Sequence, residues 1–357
     1  MPGLKILDRY LAGAVIGGTL LTLAVLLPLL AVFLLAEEID RVGRDGYGFW
    51  DMALLASLSL PRYAYQVFPL ATLIGALVGL GALASRSELV AMRAAGVSIA
   101  RIVRAALMGG LLLALAGFAL GEAVAPLADE KALQWRAAAE SGQVSLRTPY
   151  GFWVRDGDTF VYIREILPGG YLRGIHIYEV DRDGHLRLAS RADEADHRDG
   201  RWVLRGIARS QVSADGVAVS RVEETGWDSL LDPRLLDLLV VEPQRLPLWE
   251  LLRYLRFMAA TAQDAGAYAV AFWGKVVHPF LTLAMVFIAL PILFGSARTA
   301  GVGLRILAGV LVGVAFYLMS RTLTYLSLLY HVDPMLAAVT APLLFLAGAL
   351  WMLRRVS

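Results

Sequence analysis

The sequence predicts a polytopic α-helical membrane protein with six transmembrane helices and an all-β, jelly-roll-like domain inserted after the third. Two observations predict this class. First, 58% of the 357 residues are hydrophobic and the mean hydropathy is +0.61, well above the values of soluble domains. Second, six apolar runs approach the roughly 20 residues that cross a bilayer, whereas one central region is polar and rich in turn residues.

The apolar runs set the boundaries of the predicted spans. They cover residues 11–36, 64–84, 99–121, 272–294, 302–325 and 335–353. The first run is long and lacks a small-residue cleavage site, so we expect it to stay as a helix rather than to be removed as a signal peptide. Cysteine is absent, which excludes disulfides, thiolate metal sites and cysteine nucleophiles.

Basic residues predict the orientation of these spans. In a six-span arrangement one side collects Lys5, Arg9, Arg86, Arg93, Arg101, Arg104, Arg298, Arg305, Arg354 and Arg355. Because positively charged loops stay in the cytoplasm, both termini are predicted to be cytoplasmic. The region after the third span then lies on the opposite side, which is the periplasm in a Gram-negative cell.

A short amphipathic helix is predicted over residues 86–95, between the second and third spans. Ser85 and Glu88 have the spacing of a capping box, and Gly96 favours the left-handed conformation that ends a helix. Such a compact cytoplasmic helix is suited to contact a partner protein. The candidate contact residues are Arg86, Glu88, Leu89, Met92 and Arg93. The alternatives are a helix resting on lipid headgroups and, for Glu88, capping alone.

The region at 140–242 has a different character, since it holds 31 of the 64 charged residues. Short β-rich bursts begin at Phe152, Phe160, Ile175 and Trp202. Turn signals separate them at Asp156-Gly157, Pro168-Gly169-Gly170, Asp183-Gly184, Asp199-Gly200 and Asp215-Gly216. This pattern predicts an antiparallel β domain of about eight strands.

Residues 248–262 follow this domain and have an amphipathic pattern. The predicted apolar face is formed by Trp249, Leu252, Leu255 and Met258. We expect this helix to lie along the membrane surface. The chain therefore divides into spans one to three with the short helix (1–139), the β domain (140–242), and the surface helix with spans four to six (243–357).

Several local strings resemble the lipopolysaccharide export permease family, LptF/LptG, and the G type more closely than the F type. They are Leu7-Asp8-Arg9-Tyr10, the segment from Gly79 to Leu89, Gly121-Glu122-Ala123-Val124-Ala125-Pro126, the segment from Asp156 to Ile163, and Gln263-Asp264-Ala265-Gly266. They occur in the family's order along essentially the whole chain, which is a more specific signal than any one motif.

The resemblance implies a non-enzymatic subunit of an ATP-binding-cassette transporter in the inner membrane, without a cofactor. Members of the family pair as an LptF/LptG heterodimer, dock two copies of the ATPase LptB, and pass lipopolysaccharide to LptC and to the periplasmic bridge protein LptA. The sequence contains no Gly-x-x-x-x-Gly-Lys-Ser/Thr loop for ATP phosphates, as this division of labour requires. The resemblance also makes the helix at 86–95 the element that couples to the ATPase.

Lipid A carries phosphates, so cations near the outer leaflet are candidate ligands. The candidate lipopolysaccharide contacts are Glu37, Arg41, Arg62, Arg136, Lys275 and Arg321. For the cations, interfacial anchoring is the alternative. Leu34 stands where the family leads us to expect a lysine at the gate. In the β domain, Phe160, Tyr162 and Ile177 line either a closed core or an open groove for acyl chains.

Three other protein classes are alternatives to the lipopolysaccharide permease. A lipoprotein-releasing permease usually carries its large periplasmic domain after the first span, whereas three spans precede it here. A membrane-anchored scaffold or sensor has no need of a coupling helix. An intramembrane hydrolase needs convergent catalytic groups, and His278 is isolated in the sequence beside Pro279.

Overall fold

The computed structural model describes residues 2–39, 42–43, 48–139, 152–156, 159–167, 171–181, 185–198, 201–213, 216–227, 242–260, 265–294 and 302–356. The chain divides into two compact units. The helical unit comprises residues 1–135, 247–251 and 266–357, and the β unit comprises residues 136–246 and 252–265.

Nine α-helices lie in the described ranges. They are α1 (Pro2–Glu38), α2 (Phe49–Ser85), α3 (Glu88–Ala94), α4 (Ile99–Ala119), α5 (Ala125–Ala139), α6 (Leu248–Ala260), α7 (Gly266–Phe294), α8 (Val302–Tyr330) and α9 (Pro334–Val356). Within these ranges, six stretches are long and apolar enough to cross a membrane, with α4 and α5 together supplying the third. The prediction of six spans is therefore confirmed.

The helices extend well beyond the apolar runs. The second run starts at residue 64, but α2 starts at Phe49 and has 37 residues. At 1.5 Å per residue it is about 55 Å long, compared with a hydrocarbon core of about 30 Å. The extra turns of α2 run beside α5, where the Asp51 carboxylate accepts a hydrogen bond from Trp135 Nε1 at 3.0 Å.

Small residues allow α1 and α2 to approach closely. A Cβ atom added to Gly75 would overlap the backbone of Thr19, and one added to Gly79 would overlap the carbonyl of Ala14. Close backbone contact of this kind gives van der Waals packing where lipid provides no hydrophobic driving force between helices. The fully buried side chains around this contact include Leu11, Val15, Leu73, Leu77, Leu80 and Ile102.

A π-helical turn, Leu120–Val124, joins α4 to α5. The N–H group of Ala125 donates to the carbonyl of Leu120, five residues earlier. The Tyr65 ring lies directly against Gly121, where a Cβ atom would overlap it. Such turns widen the helix locally and occur often at functional sites.

The described residues of the β unit contain one antiparallel sheet, which confirms the predicted all-β insertion. Its strands are β1 (Phe152–Asp156), β2 (Thr159–Leu167), β3 (Tyr171–Val180), β4 (Leu186–Arg198), β5 (Arg201–Ser213) and β6 (Gly216–Trp227). Each strand pairs with the next, so these six strands form a meander. Every predicted turn signal coincides with a boundary between two of them.

The sheet has a crease where the alternation of its side chains shifts by one residue. On β3 the buried residues Ile175 and Leu172 are three residues apart, as are Ile207 and Leu204 on β5. Gly174 and Gly206 lie between them with φ values of +66° and +63°. The strand registers place both glycines opposite Asp193 of β4. Both halves of each strand therefore direct apolar residues into the same core.

The buried face of α6 differs from the predicted one. Leu251, Tyr254 and Met258 are buried, whereas Trp249 and Leu252 are 57% and 37% exposed. The prediction of a face containing Trp249 and Leu252 is therefore wrong. Residues 251, 254 and 258 follow the spacing of three and four residues that defines one helical face, which the more conspicuous tryptophan obscured.

Candidate coupling and substrate-contact sites

The short helix α3 starts later than predicted. Ser85 is the last residue of α2, and its hydroxyl donates to the carbonyl of Ala82 at 2.8 Å. Ser87 turns the chain with φ of 60°, and its side chain makes no capping hydrogen bond. The predicted capping box of Ser85 and Glu88 is therefore wrong, because Ser85 already belongs to the preceding helix.

The end of α3 agrees with the prediction. Gly96 adopts a φ of +89°. Its N–H group donates to the carbonyl of Arg93, and the N–H group of Val97 donates to that of Met92, both at 3.0 Å. This pair of bonds is a Schellman motif, which satisfies carbonyls that the last turn leaves open.

The predicted coupling residues separate into buried and exposed groups. Leu89 is 4% exposed and belongs to the core of the helical unit, and Met92 packs against that core. These two side chains therefore hold α3 to its own protein rather than to a partner. The predicted Arg86 and Arg93 are exposed, and so is the neighbouring Val90.

Two polar contacts tie the start of α1 to this region. The Tyr10 hydroxyl donates to Glu88 Oε2 at 2.7 Å. Arg101, in the first turn of α4, binds both carboxylate oxygens of Asp8, with Nε to Oδ1 at 3.2 Å and Nη2 to Oδ2 at 3.0 Å. Glu88 thus contacts α1, and α3 is held between α1 and the core of the bundle.

Two of the predicted lipopolysaccharide contacts are engaged inside the helical unit. Arg62 Nε lies 3.3 Å from Asp129 Oδ1, with side-chain exposures of 16% and 5%. Lys275 Nζ lies 2.8 Å from Glu122 Oε1, with both side chains buried. These pairs link α2 to α5 and α7 to the π-helical turn. The structure thus assigns both cations internal partners, which the sequence did not reveal.

For the other predicted lipopolysaccharide contacts, the structure gives a position in the chain but no ion pair among the described residues. Arg321 is exposed on α8, with Nε 3.2 Å from the Tyr317 hydroxyl. Glu37 is exposed near the end of α1, and Leu34 is buried one turn earlier. Arg136 lies in α5. The Arg136 side chain and the whole of Arg41 lie outside the described residues.

Glu122 is the centre of a buried polar cluster that sequence reasoning missed. Its second oxygen, Oε2, accepts a hydrogen bond from the backbone N–H group of Leu248 at 2.6 Å. Lys275 Nζ also lies 3.4 Å from the carbonyl of Gly121. Nearby, the His278 ring stacks on Tyr65 with centroids 3.9 Å apart. A signal was present, because Glu122 and Lys275 each interrupt an apolar stretch, where an ionisable side chain needs a partner.

The predicted groove residues lie on opposite faces of the sheet. Ile177 is directly opposite Val161, and Tyr162 is directly opposite His176. Residues opposite each other share a face, and successive residues alternate. Ile177 therefore belongs to the buried face. Phe160 and Tyr162 belong to the outer face, so the three residues cannot line one groove.

The outer face carries a patch of aromatic rings. The ring centroid of Trp153 lies 5.1 Å from that of Tyr162 and 5.9 Å from that of Tyr178, and His176 stands between the two tyrosines at 5.7 and 6.3 Å. The pKa of His176 lies below its ordinary value of 6.5, first because burial disfavours the charged ring and then because Arg191 and Arg164 repel it.

Comparison with known proteins gives a consistent result. The family model described as "Lipopolysaccharide export system permease LptF/LptG" matches residues 9–355. The chain is 32% identical over 351 residues to the lipopolysaccharide export system permease protein LptG of Haemophilus influenzae, covering 98% of each chain. It is 30% identical over 355 residues to LptG of Escherichia coli K12, covering 99% of each chain.

Proposed function

The chain belongs to the LptF/LptG family of lipopolysaccharide export permeases, and we propose that it is a G-type permease subunit of an inner-membrane ATP-binding-cassette transporter. The observation that carries the proposal is the family match over residues 9–355, which spans both the six long helices and the inserted sheet. The G type is favoured over the F type because the curated relatives above are both named LptG. Because the chain belongs to this family, it is not assigned to the three alternative classes, which were a lipoprotein-releasing permease, a membrane-anchored scaffold and an intramembrane hydrolase.

We propose that the exposed side of α3 receives an ATPase subunit. Arg86, Val90 and Arg93 offer an apolar contact between two cations, and the buried Leu89 fixes the helix beneath them. A rigid anchor of this kind lets a closing ATPase move the bundle rather than deform a loop. The proposed partners are two LptB copies, an LptF subunit that completes the permease, LptC, and the bridge protein LptA.

We propose that lipopolysaccharide enters between the helices and leaves over the β unit. Arg321 is exposed and is proposed to meet a phosphate. Arg41 and Arg136 are proposed for the same role on the basis of the sequence. Glu37 would serve there as an acceptor for sugar hydroxyls. In this proposal both termini are cytoplasmic, the β unit is periplasmic, and the buried face with Ile177 opens to acyl chains.

The first experiment tests ATPase docking on α3. Val90→Asp places a charge in the centre of the proposed contact, where an unpaired charge is costly. We expect the purified permease to lose bound LptB, and proteoliposomes to lose ATP-dependent lipopolysaccharide release. Val219→Asp is the matched control, because Val219 is also an exposed valine, at 67% against 47% for Val90. Retention of LptB and of release by Val90→Asp would refute the docking site.

The second experiment tests the path over the β unit. A photo-crosslinking amino acid is placed at Ile177 or at Tyr162 in the reconstituted transporter. We expect ATP-dependent lipopolysaccharide adducts at Ile177 and few at Tyr162, since the two positions lie on opposite faces. Adducts at Tyr162 alone would move the path to the outer face. The absence of adducts at both, with an active ATPase, would contradict the proposed substrate path.

A further inference from the structure

Glu122 holds two distant parts of the chain with two different oxygen atoms. Oε1 binds Lys275 Nζ of α7 at 2.8 Å, and Oε2 accepts from the backbone N–H group of Leu248 at 2.6 Å. The partners lie 153 and 126 residues away in sequence. Lys275 and Leu248 therefore meet at one carboxylate.

The π-helical turn makes this arrangement possible. Glu122 is the third of its five residues, and the Lys275 ammonium also reaches the carbonyl of Gly121 at 3.4 Å. Gly121 carries no side chain at the place that the Tyr65 ring occupies. The turn thus positions a carboxylate and a carbonyl together on one cation, close to α2.

Leu248 is the first residue of α6, and its N–H group has no partner within the helix. Pro247, which precedes it, has no N–H group to offer. A carboxylate supplied from another helix satisfies the open donor and complements the positive end of the helix dipole. Glu122 is therefore the cap of α6, although it lies on a different element.

Stability alone gives little reason for this ion pair. Apolar residues of similar size would often serve as well in a buried site, because charges lose their hydration there. The pair instead specifies position. It fixes the residue at which α6 starts, and among the described elements α6 is the first long helix after strand β6.

We propose that Glu122 is a positioning residue of the export cycle. It ties the start of α6 to the π-helical turn and α7, so that a movement of these helices is passed to the segment through which the chain returns from the β unit. This inference rests on the proposed function, because it gives the tie a role in transport. The tie between Glu122 and α6 requires the Leu248 N–H group, not the Leu248 side chain.

Substitution of Leu248 separates these two requirements. Leu248→Pro removes the N–H donor, and proline is well tolerated at the first position of a helix. Leu248→Ala is the matched control, because it removes the side chain and keeps the donor. Both are measured in the complete transporter in proteoliposomes, by ATP hydrolysis, by lipopolysaccharide release, and by hydrogen exchange of the peptide covering the first turns of α6.

We expect Leu248→Pro to hydrolyse ATP at close to the wild-type rate but to release lipopolysaccharide about tenfold more slowly, the loss typical of one hydrogen bond to a charged group. The first turns of α6 should also exchange faster. Leu248→Ala should resemble the wild type in all three measurements. Glu122→Gln retains an acceptor oxygen for Leu248 but leaves the buried Lys275 ammonium without its carboxylate, so it should release lipopolysaccharide no faster than Leu248→Pro does.

Equal release by Leu248→Pro and Leu248→Ala would overturn the proposal, as would a parallel loss of hydrolysis and release in both. The exchange measurement needs no substrate and so tests the tie by itself. If the wild-type transporter hydrolyses ATP without releasing lipopolysaccharide, the proposed function fails. A slow-exchanging α6 in the wild type and a fast-exchanging one in Leu248→Pro would still establish the contact.

Discussion

The continuous helix from α4 to α5 carries an ion pair near each end of its apolar part, and the two pairs differ in environment. Arg101 binds Asp8 with side chains that are 23% and 13% exposed. Glu122, about 32 Å further along, binds Lys275 with both side chains at 10% or less. Water can replace the partners in the first pair but not in the second. The first pair therefore adds modestly to the contact between α1 and α4. The second pair determines how the π-helical turn, α7 and the start of α6 are arranged.

The largest expected effect comes from breaking the buried pair on one side. Lys275→Met leaves the Glu122 carboxylate buried without its cation, and this should lower the free energy of unfolding by about 3–5 kcal/mol. Thermal unfolding in detergent measures it, with Phe280→Leu as a control at an exposed position of the same helix. Adding Glu122→Gln to Lys275→Met should recover part of the loss. An unchanged melting temperature for Lys275→Met would contradict the comparison.

Arg62→Met should have an intermediate effect. The Asp129 carboxylate is buried, but Arg62 retains some exposure, so water can compensate in part. We expect a loss of about 2–3 kcal/mol in the free energy of unfolding. The same melting assay measures it, and Arg62→Lys should lose less because it keeps the charge. A loss as large as that of Lys275→Met would show that side-chain exposure does not determine how much each ion pair contributes to stability.

Asp8→Asn should cost less, about 0.5–1 kcal/mol, as expected for partly exposed pairs. Salt provides the sharper measurement. Raising the ionic strength should reduce the difference between Asp8→Asn and the wild type, because mobile ions screen exposed charges. The effect of Lys275→Met should hardly change with salt. Equal salt dependence of the two variants would remove the distinction between the pairs.

Tyr10→Phe should have the smallest effect on stability, since it removes one hydroxyl at an exposed position. We expect no measurable change in melting. Its effect should instead appear in LptB affinity, weakened roughly threefold because α3, which carries the proposed docking residues, loses a hydrogen bond to α1. Surface binding measurements on the purified permease test this. A melting shift with unchanged LptB affinity would give Tyr10 a purely structural role.

The sequence predicted the six spans, the inserted sheet and the turns between its described strands because these follow from local composition. It could not reveal contacts that depend on residues far away in the chain. The sequence predicts Arg62 and Lys275 as substrate contacts because it shows each cation without its partner. Asp129 and Glu122 meet them only after folding.

The errors in local structure have local causes. Ser85 has the correct spacing to Glu88 for a capping box, but α2 is long enough to absorb Ser85. Likewise, Phe160, Tyr162 and Ile177 are all large strand residues. Ile177 pairs with Val161, which lies between Phe160 and Tyr162 in the chain, so Ile177 faces the opposite side of the sheet from those two residues. Side-chain type predicted strand, but only the register could assign the face.

The crease at Gly174 and Gly206 has a consequence for how the sheet assembles. A regular antiparallel pair can slide by two residues and keep every side chain on its proper face. Here such a slide would leave the left-handed positions to residues with a Cβ atom, which avoid that conformation. The two glycines thus mark one alignment of β3, β4 and β5 as correct. They should disfavour the misaligned pairings from which aggregation of a half-made sheet begins.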